Sequence, residues 1–254
     1  MRFELLKYDM LDSTNAEAVR LYQTGKAVSG IVIVADEQTG GKGHGNNRWE
    51  SERGKNLTFS VMFKPDFIEP SSQFVITQLI SLSIWEVLQS ILRKKHVSVK
   101  WPNDIYVGDR KISGILIQNF IKGNTIDMSV IGVGLNVSQK LFLSTAPNPT
   151  SVILESGMDC PLDNLLEDIL ETFDQYVKKY NNPALFNKLT KCYLTKLYRF
   201  GEQAIYKDAK ETFTAAITGV SEYGQLLLTD ANGVNRKYGF KEVELIKTLP
   251  QVAK

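Results

Sequence analysis

Lys100-Trp101-Pro102-Asn103-Asp104-Ile105-Tyr106-Val107-Gly108-Asp109-Arg110-Lys111-Ile112-Ser113-Gly114-Ile115-Leu116-Ile117-Gln118 packs two turn signals and three β-rich segments into nineteen residues. Short β-rich segments at 97–101, 105–107 and 111–118 stand between turn residues, Pro102-Asn103-Asp104 and Gly108-Asp109-Arg110. A further turn at Lys122-Gly123-Asn124 leads into an apolar run at 126–133. This spacing predicts a series of antiparallel hairpins. The glycines of Ile131-Gly132-Val133-Gly134-Leu135-Asn136-Val137 mark a place where another group comes close to the backbone.

Working outward, residues 3–8 read as an edge strand, 30–35 as a buried strand, and 57–63 as a strand ended by Pro65. Val75, Leu79, Leu82, Trp85, Leu88 and Leu92 recur at helical steps and predict a long helix over 71–95, with Trp85 in the core. Thr14 followed by Glu17 fits a capping box for a helix over 16–23 that Gly25 ends. Downstream, 138–150 is a loop carrying Pro147 and Pro149, and helices are expected at 162–180 and 184–197. From Phe200 the pattern changes to short strands at 203–207, 212–219, 225–229, 234–240 and 243–247, which suggests a small barrel. The expected fold is α+β, with a mixed, mainly antiparallel sheet flanked by helices over 1–198 and a small β-barrel domain over 199–254.

Composition restricts the function classes. The 254 residues are 43% hydrophobic and 23% charged, with 30 basic and 28 acidic side chains and a net charge of +2. Those are globular values, large enough for a sizeable core. No basic stripe longer than Arg93-Lys94-Lys95 exists, so nothing marks a general nucleic-acid binder. Cys160 and Cys192 lack CxxC spacing and point to a reducing compartment, although a single bridge between them stays open. His44 and His96 are the only histidines, which excludes a multi-histidine metal site. The first residues are too short and too charged a stretch for a signal peptide, and no apolar run is expected to reach the roughly 18 residues of a spanning helix. A cytoplasmic protein is expected.

Three stretches carry chemistry. Ser13, Thr14 and Asn15 either cap a helix or offer neutral polar groups to a ligand. Gln38-Thr39-Gly40-Gly41-Lys42-Gly43-His44-Gly45-Asn46-Asn47-Arg48-Trp49 is rich in glycine and cations and suits wrapping an anion with backbone N–H groups, or is a mobile hairpin tip. It has neither Walker nor dinucleotide spacing. Lys100, Asn103 and Asp104 with Lys111 across a tight hairpin suit polyphosphate chemistry: the carboxylate can hold Mg²⁺ and the lysines can neutralise charge. A plain Lys–Asp surface pair is the alternative.

Together the blocks Asp12–Asn15, Gln38–Gly43, Lys100–Ile105, Arg110–Leu116 and Gly132–Val137 resemble the biotin protein ligase family, in the family's order. The resemblance implies a class II synthetase-like catalytic fold followed by an SH3-like domain. It implies two steps: biotin and MgATP give biotinyl-adenylate, and a lysine of a biotin carboxyl-carrier domain then takes the biotinyl group. By the same analogy Ser13, Thr14, Asn15, Gln38, Lys42, Gly43, His44, Lys111 and Gly114 would meet biotin. Gly41, Lys42, Gly43, Trp49, Asn103 and Asn136 would meet ATP or the adenylate. Lys100, Asp104 and Lys111 would be catalytic, and Asp104 would contact the metal.

The loop departs from the family's approximate G-R-G-R-x-G. Lys42 and His44 stand for its arginines and Asn46 for its last glycine, which removes planar forks suited to bidentate phosphate contacts. The first motif begins at Asp12, so the expected ligase has no DNA-binding function and no membrane partner; a homodimer is compatible with the resemblance. The nearest rivals are a lipoate–protein ligase and a catalytically idle biotin- or nucleotide-binding module. An RNA-binding role has no aromatic stacking run behind it.

Overall fold

The computed structural model describes residues 1–43, 45, 47–143 and 148–248. Seven strands form the main sheet: β1 (Glu4–Leu11), β2 (Ile31–Gln38), β3 (Asn56–Phe63), β4 (Val97–Lys100), β5 (Asp104–Val107), β6 (Arg110–Lys122) and β7 (Thr125–Asn136). Their order is β1-β2-β3-β7-β6-β5-β4, with β1 parallel to β2 and every other pair antiparallel. The opening stretch therefore supplies three neighbouring strands of one meander.

The inner strand β3 is buried along its whole length, and its alternation sorts two layers. Leu57, Phe59, Val61 and Phe63 enter the larger core with helix α2 (Phe74–Ile91) and helix α4 (Leu162–Lys179). Met62 joins Ala18, Ile33 and Val130 in a smaller core under helix α1 (Thr14–Gln23), while Thr58 and Ser60 of the same face lie buried. Short helix α3 (Val152–Ser156) and helix α5 (Phe186–Leu194) complete the helices. With its preceding turn, Pro70–Ile91 is long and apolar enough by length and composition to cross a membrane, but most of it is buried inside the fold. Gln78, Ser81 and Ser83 interrupt its apolar run in the sequence and are themselves buried.

Two sequence expectations are corrected. Thr14 is not a cap: Ser13 occupies the N-cap in extended conformation, Thr14 is the first helical residue, and Glu17 bonds Arg20 instead. The C-terminal end of α1 is as expected, because Gly25 (φ 71) and Lys26 return N–H groups to Tyr22 and Leu21 in a Schellman arrangement.

The second correction is larger. Strands β8 (Gln203–Asp208), β9 (Thr212–Val220), β10 (Leu226–Asp230), β11 (Asn235–Tyr238) and β12 (Val243–Thr248) form an antiparallel sheet ordered β11-β10-β9-β8-β12, and it does not close into a barrel. Among the described residues β11 and β12 are opposite edges without a mutual ladder. Its apolar side chains Tyr206, Ile217 and Leu226 belong to the same hydrophobic cluster as Val99 and Ile105 of the main sheet. An apolar face already covered by the rest of the chain needs no closure on itself. Trp101 fastens the contact by donating its indole N–H to the Gly224 carbonyl (2.9 Å), and Phe74 lies where a Gly224 side chain would be.

Candidate active site

A cavity of about 1060 Å³ opens between the main sheet, the glycine-rich loop and the C-terminal sheet. Its floor follows from register. Gly114 of β6 pairs with Gly134 of β7, which pairs with Thr58 of β3; one step along, Leu116 pairs with Gly132 and Gly132 with Ser60. The glycines leave a bare backbone surface. A Cβ on Gly132 would lie 2.1 Å from Asn15 Oδ1, and one on Gly134 would lie 2.2 Å from Trp49 Cε2. These are the close approaches that the paired glycines predicted.

At one end the start of α1 builds a neutral polar cluster. Backbone bonds from Thr39 to Leu11 and from Gly40 to Asp12 extend the β1–β2 pairing and bring Gln38 beside Ser13–Asn15. The Thr14 N–H donates to Gln38 Oε1 (2.8 Å). Ser60 Oγ lies 2.8 Å from Thr14 Oγ1 and 2.6 Å from Asn15 Oδ1, and Asn15 Nδ2 donates to the Leu116 carbonyl (3.1 Å). Arg20 grips Asp12 and holds its carboxyl down at about 2, so the approach to α1 keeps its charge across the working pH range.

The glycine-rich loop is a hairpin. Lys42 faces Arg48 across an antiparallel bridge, the Gly43 N–H donates to Asn47, and the Trp49 N–H donates to Gly41. Trp49 lays its ring on the Gly114–Gly134 floor with its indole N–H buried and unpartnered. Gly41 sits at the base of the hairpin, where a Cβ would meet the Trp49 carbonyl at 2.6 Å. His44 and Asn46 lie outside the described residues.

The charged end comes from the opening stretch. Lys111 Nζ is 2.7 Å from Asp104 Oδ1 and 5.9 Å from the centre of the Trp49 ring. Asp104 Oδ1 is buried and has this ion pair but no hydrogen bond. Lys100 Nζ donates to the Tyr106 hydroxyl (3.0 Å) over the same ring, and burial pushes its pKa down. Burial, reinforced by Asp104, pushes the Tyr106 hydroxyl up to about 12. Asn103 is spent on the scaffold: its Nδ2 donates to the Ile115 carbonyl (2.6 Å). Asn136 donates to the Thr150 carbonyl (2.9 Å) and keeps a buried, unpartnered Oδ1 at the cavity wall. Among the described residues no group of three His, Cys, Asp or Glu could hold a metal.

Tyr106 gives an alkaline signature. Its folded pKa lies above its unfolded value near 10, so the unfolded chain releases the proton first as pH rises. The stabilisation is complete below about pH 10 and is lost as pH rises through about 12. Tyr106→Phe is expected to flatten this part of the stability profile, read by denaturant midpoints from pH 9 to 12; an unchanged slope contradicts the assignment.

The cavity thus gathers Ser13, Thr14, Asn15, Gln38, Lys42, Gly43, Trp49, Lys100, Asn103, Asp104, Lys111, Gly114 and Asn136. Sequence reasoning missed Ser60, signalled only by hydroxyls at alternate positions of an apolar strand. It also missed the wall built by the C-terminal sheet, including Arg199, Phe240, Lys241 and Glu244.

The model of the biotin/lipoate A/B protein ligase family matches residues 9–136, which contain the first four sequence blocks and the fifth up to Asn136. The chain belongs to that family. Among bacterial relatives of this ligase-family chain, the bifunctional ligase/repressor BirA of Salmonella typhimurium is 35% identical over 241 residues, 93% of this chain and 72% of BirA. BirA of Bacillus subtilis is 26% identical over 252 residues, 95% of this chain and 74% of the relative. The fold of the ligase-family chain superposes on the biotin protein ligase of Aquifex aeolicus in complex with biotin and ATP with a TM-score of 0.78 and 26% identity, covering 96% of this chain and 99% of that one. Neither Cys160 nor Cys192 forms a disulfide.

Proposed function

We propose that this chain activates biotin with ATP and transfers the biotinyl group to a lysine of a biotin carboxyl-carrier domain. It is an ATP- and biotin-dependent ligase, and the observation that carries this reading is the single cavity joining a neutral polar end to a Lys–Asp pair in a chain of this family. In the first step a carboxylate oxygen of biotin attacks the α-phosphorus and pyrophosphate leaves. In the second, the carrier lysine attacks the activated carbonyl, loses a proton, and AMP leaves.

Ser13, Thr14, Asn15 and Gln38 suit the uncharged ureido ring, with Ser60 holding two of them in place. The carboxylate and the α-phosphate are both anionic and must come together. Lys111, with Lys100 behind it and the loop amides of Gly41 and Lys42, offsets that repulsion and the charge growing at phosphorus. We assign His44 to the biotin side of the loop by family analogy. The unpartnered Asn136 Oδ1 suits the amino group of adenine, and Trp49 covers the adenylate on the glycine floor. Asp104 belongs to no group of three metal-ligating side chains among the described residues, which suits Mg²⁺ carried by the triphosphate rather than a protein cage. The ion would neutralise phosphate charge. In this reading the catalytic domain is assigned to residues 1–198 and the small C-terminal domain to 199–254. A reducing cytoplasm suits the two free thiols.

Biotin-dependent exchange of labelled pyrophosphate into ATP tests the first step; exchange with lipoate instead of biotin, or none, contradicts it. The loop adds a prediction. Lys42→Arg with His44→Arg restores planar forks and is expected to slow adenylate release about tenfold, as for one charge-assisted bond gained. Unchanged release in a chase experiment rejects the role given to these two positions.

A further inference from the structure

We infer that Lys241, on the turn between β11 and β12, is a polyphosphate-binding residue of the cavity, reaching the leaving pyrophosphate from the C-terminal sheet. The inference rests on the ligase reading above and names a contact that sequence motifs do not contain. Lys241 has φ 64, a left-handed backbone that disfavours any residue with a Cβ. That backbone aims its ammonium across the cavity at the tip of the glycine-rich hairpin. Lys241 Nζ lies 2.6 Å from where Gly45 would carry a Cβ, and Gly45 is itself left-handed at φ 67. A glycine at the tip leaves room for the ammonium.

The company of this ammonium points to an anion. Lys42 and Arg48 face each other across the hairpin, an arrangement of like charges that is unfavourable by itself. Lys42, Arg48 and Lys241 all line the cavity, and none forms an ion pair with a described residue. Three cations from two separate parts of the fold, none ion-paired with a described residue, line one cavity that Glu50 and Glu244 also line. A ligand with several negative charges relieves that repulsion. Lys111 serves the reacting end on the Gly114 floor and Lys42 the adenylate, so Arg48 and Lys241 fall to the β- and γ-phosphates. During adenylation one bond forms, from the biotin carboxylate oxygen to the α-phosphorus. One breaks, from the α-phosphorus to the bridging oxygen, whose electron pair departs with pyrophosphate. Lys241 stabilises that departing charge without exchanging a proton.

The test compares wild type with Lys241→Ala, Lys241→Arg and Lys241→Gly. Lys241→Ala is expected to raise the KM for ATP about tenfold, the worth of one charge-assisted contact, with the KM for biotin unchanged. Lys241→Arg keeps the charge and should restore the ATP value. Lys241→Gly relieves the left-handed backbone, so it should melt at or above the wild-type temperature and still lose ATP affinity. Transfer from preformed biotinyl-adenylate contains no polyphosphate and should keep its rate. Titration with inorganic pyrophosphate alone should show the same tenfold loss in the glycine variant, whether or not the chain turns over biotin. Equal pyrophosphate affinity in wild type and Lys241→Gly overturns the inference. So does a parallel rise in both KM values together with a lower melting temperature. Failure of biotin-dependent exchange in wild type would count against the ligase reading instead.

Discussion

Lys111→Ala is expected to lower biotinyl-adenylate formation about a thousandfold, the scale on which one preorganised charge acts on a growing oxyanion. Lys111 is held on three sides: Asp104 Oδ1 at 2.7 Å, the Trp49 ring at 5.9 Å, and a backbone stitched to residues 148–150. Its N–H donates to the Asn148 carbonyl, and its own carbonyl accepts from Thr150. Such fixation means little reorganisation when charge develops. The loss should fall on the chemical step, with the KM for biotin moving only a few-fold. Removing Lys111 also leaves Asp104 Oδ1 buried without its partner, at a cost of about 1–3 kcal/mol. Adding Asp104→Asn removes that orphaned charge. Recovery of stability with adenylation still far below that of Asp104→Asn alone assigns Lys111 to the chemistry. Recovery of both reduces the pair to a structural ion pair.

Gly132→Ala should be the most damaging substitution on the biotin side. The new methyl would overlap Asn15 at 2.1 Å from Oδ1 and 2.7 Å from Cγ. Asn15 is short and is fastened by Ser60 and by the Leu116 carbonyl, so it cannot swing aside without losing both bonds. Gly132 lies inside β7 between β3 and β6, so the backbone cannot yield cheaply either. The expected result is a rise of about a hundredfold or more in the KM for biotin, from two hydrogen bonds of roughly 1 kcal/mol each plus overlap. The KM for ATP should stay within a few-fold, because Asn136 and Lys111 lie beyond Asn15's contacts. A biotin KM within threefold of wild type would remove Asn15 from the binding cluster.

Local chemistry was legible wherever the sequence carried it on adjacent residues. Turn residues at Pro102-Asn103-Asp104 and Gly108-Asp109-Arg110 delimited β4, β5 and β6, because hairpin geometry is set within a few residues. The close approaches at Gly132 and Gly134 were legible as well, though not their occupants, Asn15 and Trp49. What failed was long-range or competitive. Thr14 and Glu17 have capping-box spacing, yet Arg20 and Gln38 claim their polar atoms. The alternating C-terminal strands encode a curled sheet but do not say what covers its apolar face. Trp101 and Phe74 meeting Gly224 answered that, and the sheet stayed open. For the same reason Lys241 had no signal: its meaning depends on a glycine nearly 200 residues earlier in the chain.

We propose that one cavity carries both half-reactions, with biotin as the activated acid. The most direct test is the intact mass of a purified biotin carboxyl-carrier domain after incubation with this protein, ATP, Mg²⁺ and either biotin or lipoate. A gain of one biotinyl group with biotin, dependent on ATP, and no gain with lipoate is expected. Modification by lipoate in preference to biotin, or an unmodified carrier beside a folded protein that still binds biotin, would contradict it.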